Sequence, residues 1–384
     1  MMGHDFIVVH YAEIGIKGKN RGVFEDRLVD NIRKALEGLE HKSVRRATGR
    51  VLVELSEGSD VKRMAGRLER VFGISGFSPC WSCRSSMKDM ESKALEVMKG
   101  RKGSFRVSAV RSWKGFKTGS NKVNEKVGAA VVEKYGLKVN LTKPRTNLSM
   151  EILNDRTLLY TEKLDGPGGL PVGVSGKVVC LLSGGIDSPV AGILMMKRGC
   201  EVEFVHFQNE VSGGLGKMGQ IMELMEGFQP DARMHVVPFR KLQNQVIAKV
   251  KGDYRMLVYR RFMLRMAEKL AGNLKAKALV TGESVGQVSS QTLDNIRAIE
   301  SVVDMPVLRP LVGMDKREII DLAKSYGTYD ISIKPYEDCC SFMIAAHPQT
   351  RARKKDVDRM EGALDTEGLE KEALAGATTF KAQR

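Results

Sequence analysis

The stretch Cys180-Leu181-Leu182-Ser183-Gly184-Gly185-Ile186-Asp187-Ser188-Pro189-Val190-Ala191 joins an apolar run starting at Val178 to a helix-prone segment. It therefore spans a strand end, a loop and a helix start. The paired glycines let the backbone turn tightly and bring its N–H groups close to a ligand. Ser183 and Ser188 add hydroxyl donors, and the following helix offers the positive end of its dipole to phosphate. Pro189 suits the first turn of that helix, where its missing N–H costs little. Asp187 is the odd residue. An acid beside phosphate repels it unless a divalent cation intervenes, which implies Mg²⁺ held indirectly through Asp187. A Walker-type string, Gly-x-x-x-x-Gly-Lys-[Ser/Thr], is absent from the chain. The competing reading is an ordinary glycine turn capped by serine and aspartate.

Outward from this loop, strand-like runs at 178–182, 201–206, 235–238 and 278–281 alternate with helical stretches. That alternation predicts a doubly wound parallel sheet with helices on both faces over residues 177–384. The two residues at the end of its second strand, His206 and Phe207, fall where ligands of open α/β sheets bind. Read alone, His206 is as well explained as a satisfied core histidine. The tail after Lys354 reads as polar and helix-prone, with frayed final residues.

Upstream, Asp165-Gly-Pro-Gly-Gly-Leu-Pro-Val-Gly173 marks a linker over 166–176. Before it the segments are shorter. A strand at 6–10, a helix at 22–39, a strand at 50–55, a helix at 59–71 and a strand at 74–83 suit a ferredoxin-like α+β module. Its expected extent is 1–60, or up to about 80. A second module over 61–165 holds a helix at 87–99, a strand at 104–110, a basic loop, a helix at 123–135 and strands at 147–153 and 157–163. A turn at Asn154-Asp155-Arg156 joins the last two. The fold class is thus multidomain, α/β and α+β.

The chain has 384 residues, 42% of them hydrophobic, enough for two or three domains. No apolar run is long enough to span a membrane and no signal peptide opens the chain, so a cytoplasmic protein without a membrane partner is expected. Six cysteines without a secretory signal argue against a disulfide scaffold. The net charge of +16 is uneven, with +12 in residues 1–175 and +4 in the rest. A basic front half joined to a nearly balanced one suggests a polyanion held by the former. A generally basic, solvated surface is the plain alternative.

The loop 183–188 is similar to the pyrophosphate-binding loop of the ATP-pyrophosphatase superfamily. Those enzymes cleave ATP between the α- and β-phosphates and adenylate a carbonyl oxygen, which a nucleophile then displaces. Four further strings resemble one family within it, the ThiI tRNA 4-thiouridine synthetases. They are Tyr11-Ala-Glu-Ile-Gly-Ile-Lys-Gly-Lys-Asn-Arg-Gly-Val-Phe-Glu25, Thr281-Gly-Glu-Ser-Val-Gly-Gln-Val-Ser-Ser-Gln-Thr292, Arg309-Pro-Leu-Val-Gly-Met-Asp-Lys-Arg-Glu-Ile319 and Pro335-Tyr-Glu-Asp-Cys-Cys-Ser-Phe342. The resemblance spans roughly residues 5–350. It implies a ferredoxin-like domain, a THUMP domain that grips tRNA and an ATP-pyrophosphatase domain of the adenine nucleotide alpha hydrolase type. The implied reaction replaces O4 of the tRNA uridine at position eight with sulfur. The implied adenylate pocket holds Leu181, Leu182, Ser183, Gly184, Gly185, Ser188, His206, Phe207, Arg260, Gly282 and Gln291. Gly282 ends a strand and would permit close approach of the adenine. Lys316 resembles a family lysine near the substrate, where a fixed positive charge stabilises phosphate or a developing oxyanion. Outside that resemblance it reads as a solvated helix-start residue.

Cys339 matches the family's catalytic cysteine, and Cys340 beside it can resolve a persulfide or relay sulfur. Persulfides and thiolates are strong nucleophiles near neutral pH. Two buried thiols after a turn are the bland alternative. A rhodanese-like domain, which many bacterial relatives append, is not expected in a chain ending at Arg384. A cysteine desulfurase, a carrier protein and free sulfide are therefore all open as sulfur donor. Some relatives use an iron–sulfur cluster with a Cys-x-x-Cys pair near Arg260, but Tyr254-Arg-Met-Leu-Val-Tyr-Arg-Arg261 holds no cysteine. The cysteine pattern does not support a cluster. Cys80 and Cys83 form an isolated Cys-x-x-Cys whose members point to opposite faces of a strand, a structural pair. Cys180 and Cys200 read as core residues.

In the front half, Arg111-Ser-Trp113-Lys114-Gly-Phe-Lys117 interleaves cations with aromatics, and Lys143-Pro-Arg145 precedes a strand. Such groups contact phosphates and stack on bases, with tRNA as the expected partner. Each residue taken singly is equally a solvated surface cation. Relatives are often dimers, so a homodimer is possible, as is a contribution to thiamine synthesis. Other readings are a tRNA 2-thiolation enzyme, a ligase adenylating a small molecule, a THUMP methyltransferase, and an inactive RNA-binding THUMP protein.

Overall fold

The computed structural model describes residues 3–209, 216–335 and 348–382. The chain separates into two compact units, Met1–Leu170 and Pro171–Arg384.

The first unit contains β1 (Phe6–His10), α1 (Arg21–Ala35), β2 (Ser43–Ala47), β3 (Arg50–Glu54), α2 (Val61–Leu68), β4 (Gly76–Cys83) and α3 (Met87–Met98). It continues with β5 (Ser104–Arg111), α4 (Ser120–Tyr135), β6 (Lys138–Val139), β7 (Thr146–Ile152), β8 (Thr157–Tyr160) and β9 (Leu164–Asp165). Among the described residues these strands form one sheet in the order β2-β3-β1-β4-β8-β7-β5-β6, with β9 also on β4. The strand β2 was not evident in the sequence, because Ser43-Val-Arg-Arg-Ala has little apolar patterning. It forms through a tight hairpin, Ala47 pairing Arg50 across Thr48-Gly49, with Gly49 at φ 77°.

The strand β1 alternates its side chains between two cores. Ile7 and Val9 pack with α1 and α2 residues such as Leu28, Ile32 and Leu68. Phe6 and Val8 pack on the opposite face with Leu52, Cys80, Leu158 and Tyr160. Burial on both faces explains the unbroken apolar run at 6–9. A third core joins α3 and α4 to β5 and β7 through Met90, Val107, Val127 and Met150. Cys80 faces the Phe6 cluster while Cys83 packs against the Met90 cluster, so the two sulfurs lie on opposite faces. Burial pushes the Cys83 thiol up to about 12 and Cys80 higher still.

The second unit contains β10 (Lys177–Leu181), α5 (Asp187–Lys197), β11 (Glu201–Gln208), α6 (Gly216–Glu226), β12 (Arg233–Pro238), α7 (Arg240–Lys249), α8 (Arg255–Asn273) and β13 (Leu279–Val280). Beyond these come α9 (Leu293–Glu300), β14 (Val307–Leu308), α10 (Lys316–Tyr326), α11 (Tyr329–Ser332), α12 (Lys354–Glu361), α13 (Thr366–Ala375) and β15 (Thr378–Lys381). The strand order is β14-β13-β10-β11-β12-β15, parallel from β14 through β12. The chain runs outward from β10 in both directions, so the topological switch lies between β10 and β13, where a doubly wound sheet binds its ligand.

The tail corrects the sequence reading. Its end is not frayed within the described residues: β15 adds an antiparallel edge to β12, with Phe380 opposite Met234. The acidic residues of the tail find their partners in cations on α8. Arg261, fully buried, donates to Asp358 at 2.8 Å, Glu361 at 2.7 Å and the Ala298 carbonyl at 2.9 Å. Arg265 and Lys269 continue this ladder to Glu361 and Glu370. No helix among the described residues is long and apolar enough to cross a membrane.

Candidate active site

Strand β10 ends at Leu181 and helix α5 begins at Asp187, so the loop between them lies at the switch point. The loop is cross-braced by its own serines. Ser183 N–H donates to Ser188 Oγ at 2.8 Å, the two hydroxyls lie 3.0 Å apart, and Gly185 N–H donates to Ser183 Oγ at 3.3 Å. Helix α5 is apolar almost all round, since it is buried against the sheet. A Cβ at Gly192 would come within 2.7 Å of the Phe204 ring.

Above the loop lies a cleft of about 1020 Å³, including the space at its mouth. Its lining is polar at Ser183, Gly185, Asp187 and Ser188 and apolar at Leu181, Phe207, Met263, Leu264 and Ile299. Leu182, His206, Arg260, Gly282 and Gln291 also line it. The structure thus brings together nearly every residue expected in the nucleotide pocket. Gly184 is the exception: it is buried and does not line the cleft. His206 combines both readings offered for it. It is buried and its Nδ1–H donates to the Leu182 carbonyl at 2.9 Å, yet its ring reaches the cleft.

Gly282 has a different neighbour from the one anticipated. A Cβ there would lie 2.6 Å from Ser188 N and 2.8 Å from Asp187 C. The close approach it permits is therefore that of the α5 start to the end of β13.

Lys316 opens α10, whose N-terminus is closed by a reciprocal Asp315–Glu318 capping box. Its ammonium reaches Asp187 Oδ1 at 2.6 Å, and Gln287 Nε2 donates to Asp187 Oδ2 at 2.8 Å. Gln287 was quoted within the 281–292 string but not singled out, since an uncharged amide gives no chemical signal by itself. Glu283 and Arg309 were overlooked likewise. Glu283 ion-pairs with Arg260 and accepts from Arg309 Nε at 2.8 Å and Thr281 Oγ1 at 3.0 Å. Burial would raise its carboxyl, but Arg260 and Arg309 outweigh that and hold it below the usual range.

Among the described residues, three buried polar atoms of cleft-lining side chains have no protein partner: Gln287 Oε1, Gln291 Oε1 and Arg260 Nε. Buried polar groups are nearly always paired, so their place among apolar lining residues fits a ligand that carries both polar groups and an apolar ring. Asp187 has no second carboxylate in a metal cluster among the described residues. A Mg²⁺ there fits only if phosphate oxygens and water complete its shell, as is usual for that ion.

Cys339 and Cys340 lie outside the described residues. In the first unit the expected RNA-contact residues fall into two groups. Arg111 closes β5, and Trp113, Lys114 and Lys117 follow it. Lys143 and Arg145 precede Thr146, which pairs with Phe105 near the other end of β5. Six strand steps, about 20 Å, separate the two ends.

The sheet order, the braced serine–glycine loop and the cleft at the switch point place the second unit among α/β enzymes of the ATP-pyrophosphatase type. Comparison with known families gives the narrower class. The family described as thiamine biosynthesis protein (ThiI) matches residues 173–366, the ThiI ferredoxin-like domain matches 6–78 and the THUMP domain matches 84–162. The chain belongs to the ThiI family. It is 41% identical to the probable tRNA sulfurtransferase of Brevibacillus brevis, covering 97% of this chain and 95% of that one. It is 41% identical to the protein of the same description from Moorella thermoacetica, over 96% and 95% of the two chains. Among solved structures, a 4-thiouridine synthetase–RNA complex with bound ATP superposes with a TM-score of 0.89 at 37% identity, covering 99% of this chain and 100% of that one. A Pyrococcus horikoshii protein superposes at 0.66 and 25% identity, over 84% and 99%.

Proposed function

We propose that this chain transfers sulfur to tRNA at the expense of ATP, adenylating O4 of the uridine at position eight and replacing it with sulfur. Relatives described as tRNA sulfurtransferases match over nearly the whole chain, and the neighbour described as a 4-thiouridine synthetase holds both RNA and ATP. The observation that carries the reading is the cleft itself. A phosphate-type loop, an acid–lysine pair and unpaired amide and guanidinium atoms converge among apolar lining residues.

In this reaction the adenine lies against Leu181, Phe207 and Met263, and the phosphates face the N–H groups of the loop and the α5 terminus. Uracil O4 attacks the α-phosphorus, the bond to the bridging oxygen breaks, and pyrophosphate leaves. Lys316 offsets the charge gathering on the phosphates. Asp187 would hold Mg²⁺, which supplies further charge neutralisation at the pyrophosphate. His206, fixed through its Nδ1–H, and Gln291 orient the nucleotide. Glu283 holds Arg260 toward the cleft.

Sulfur then attacks C4 and AMP departs with the former O4. With a persulfide on Cys339, its terminal sulfur is the nucleophile. Cys340 or an external thiol next attacks the Cys339 sulfur, forming a disulfide and freeing the thiouridine. With sulfide as donor, the attack on C4 is direct. The cations of the first unit hold the tRNA.

The test is mass spectrometry of tRNA nucleosides after incubation with the protein, ATP, Mg²⁺ and sulfide, or with a cysteine desulfurase and cysteine. 4-Thiouridine together with stoichiometric AMP is the expected result. Its absence with every donor sinks the reading. Undiminished desulfurase-driven product from Cys339→Ser would retire the persulfide step alone.

A further inference from the structure

Arg50 begins β3 and is only 8% exposed, a costly position for a charge without partners. In the sheet order β1, β4 and β8 separate β3 from β7, a path of about 19 Å at roughly 4.8 Å per strand. Yet Arg50 forms an ion pair with Glu151 of β7. The sheet is therefore curled, with Phe6, Val8 and Leu52 facing Leu153, Leu158 and Tyr160 across its inner side. Glu151 sits on that same face and also accepts from His10 Nε2 at 2.7 Å and the Tyr160 hydroxyl at 2.8 Å.

One donor of the guanidinium points away from this cluster. Arg50 Nη2 donates to Ser112 Oγ at 2.8 Å. Ser112 lies between Arg111 and Trp113, at the base of the basic loop. The N–H groups of Ser112 and Trp113 both donate to the carbonyl of Ile152, the neighbour of Glu151, at 3.1 and 3.2 Å. Beyond that point the loop closes on itself. Arg111 Nη1 donates to the Phe116 carbonyl at 2.9 Å, and Trp113 lies so close over Gly115 that a Cβ there would run into its ring. A loop folded on itself and tied at its base takes its direction from the tie.

Buried ion pairs add little net stability, and their better-attested use is to specify one arrangement among several. We infer that Arg50 is a positioning residue for RNA binding. From the ferredoxin-like part it reaches across the curled sheet and, through Ser112, sets loop 111–117 so that Arg111, Lys114 and Lys117 meet RNA phosphates together. This rests on the proposed role of that loop as an RNA contact.

The experiment measures tRNA affinity of the full chain against salt concentration, with thermal unfolding and ATP-analogue binding as controls. Ser112→Ala removes only the hydroxyl that Arg50 holds. Arg50→Lys keeps a charge for Glu151 but cannot serve both partners. The double variant Lys114→Ala/Lys117→Ala probes the loop directly. Each lost phosphate contact flattens the plot of log K against log salt by about 0.7–0.9. Ser112→Ala and Arg50→Lys are expected to weaken tRNA binding several-fold and to flatten that slope by about 1–2, toward the double variant, with ATP-analogue binding unchanged. A role confined to stability would lower the unfolding midpoint and leave the slope of the folded protein as in the wild type. Wild-type affinity and slope in Ser112→Ala and Arg50→Lys, beside a weakened double variant, would overturn the positioning role and leave the loop's role standing. If the double variant itself binds as the wild type does, the loop is not an RNA contact and the positioning role falls with it. Should Arg50→Lys fail to fold, Ser112→Ala decides.

Discussion

The cleft of the second unit and the basic surface of the first are charged in opposite ways. In the cleft the charges are few and mutually held: Glu283 is buried between Arg260 and Arg309, while Asp187 pairs with Lys316 at the exposed mouth. On the first unit the cations of the loop and of the segment before β7 are exposed and lie at the two ends of β5. Buried pairs act in an all-or-none fashion because a lost partner leaves a charge in low dielectric. Exposed cations act additively, each trading counterions for one phosphate. Loss of a single group should therefore disable the first kind of site and merely dilute the second.

The sharpest way to break that contrast is at Glu283. Glu283→Gln leaves two guanidinium groups without their shared carboxylate, and a cost of about 3 kcal/mol or more at neutral pH is expected. The pH dependence follows from the direction of its shift. The folded carboxyl sits below its ordinary value of 4.5, so its contribution is present above that pH and is lost as pH falls through the folded value. Urea unfolding at a series of pH values should show the wild type and the variant converging in acid and diverging toward neutrality. Parallel curves would show that the pair contributes nothing. Next in size, Lys316→Ala should lower AMP and 4-thiouridine formation by about 100-fold with tRNA affinity unchanged, by analogy with removal of one fixed transition-state donor. An equal loss of tRNA affinity would break the separation between the two regions.

How much was legible in advance follows the same division. The loop 183–188 could be read because phosphate recognition by a turn and a helix start is local in sequence. The sheet around it could be read because strands buried on both faces are continuous apolar runs. Glu283, Gln287 and Arg309 could not be ranked above other polar residues, since their significance lies in contacts between segments. The partners of Asp358, Glu361 and Glu370 were hidden for a related reason, since Arg261 and Arg265 lie about a hundred residues away in sequence. In the first unit the cations could be named as a set, but only the topology showed that β5 keeps them apart. Arg50 carried no signal at all, being one arginine among many in a basic region.

Gly282 offers a smaller and more local test of the cleft. Gly282→Ala pushes a methyl group against the backbone of Asp187 and Ser188, which cannot swing aside as a side chain can. Overpacking of this kind costs about 1–3 kcal/mol. The expected result is a lower unfolding midpoint for the second unit together with weaker ATP-analogue binding, because the strain falls on the phosphate loop. A lower midpoint with wild-type binding would mean that the loop relaxes without losing its shape.

The smallest effects belong to the exposed cations, and there the pattern carries more than the size. Lys114→Ala/Lys117→Ala and Lys143→Ala/Arg145→Ala should each weaken tRNA binding a few-fold. Each pair should also flatten the salt dependence by about 1.4–1.8. With the two groups about 20 Å apart, the combined variant should show the sum of both changes, as independent sites do. Additivity would mean that both ends of β5 contact the RNA, each independently of the other. If the second pair changes nothing, the RNA is held from the Arg111 end alone, and Lys143 and Arg145 revert to solvated surface charges.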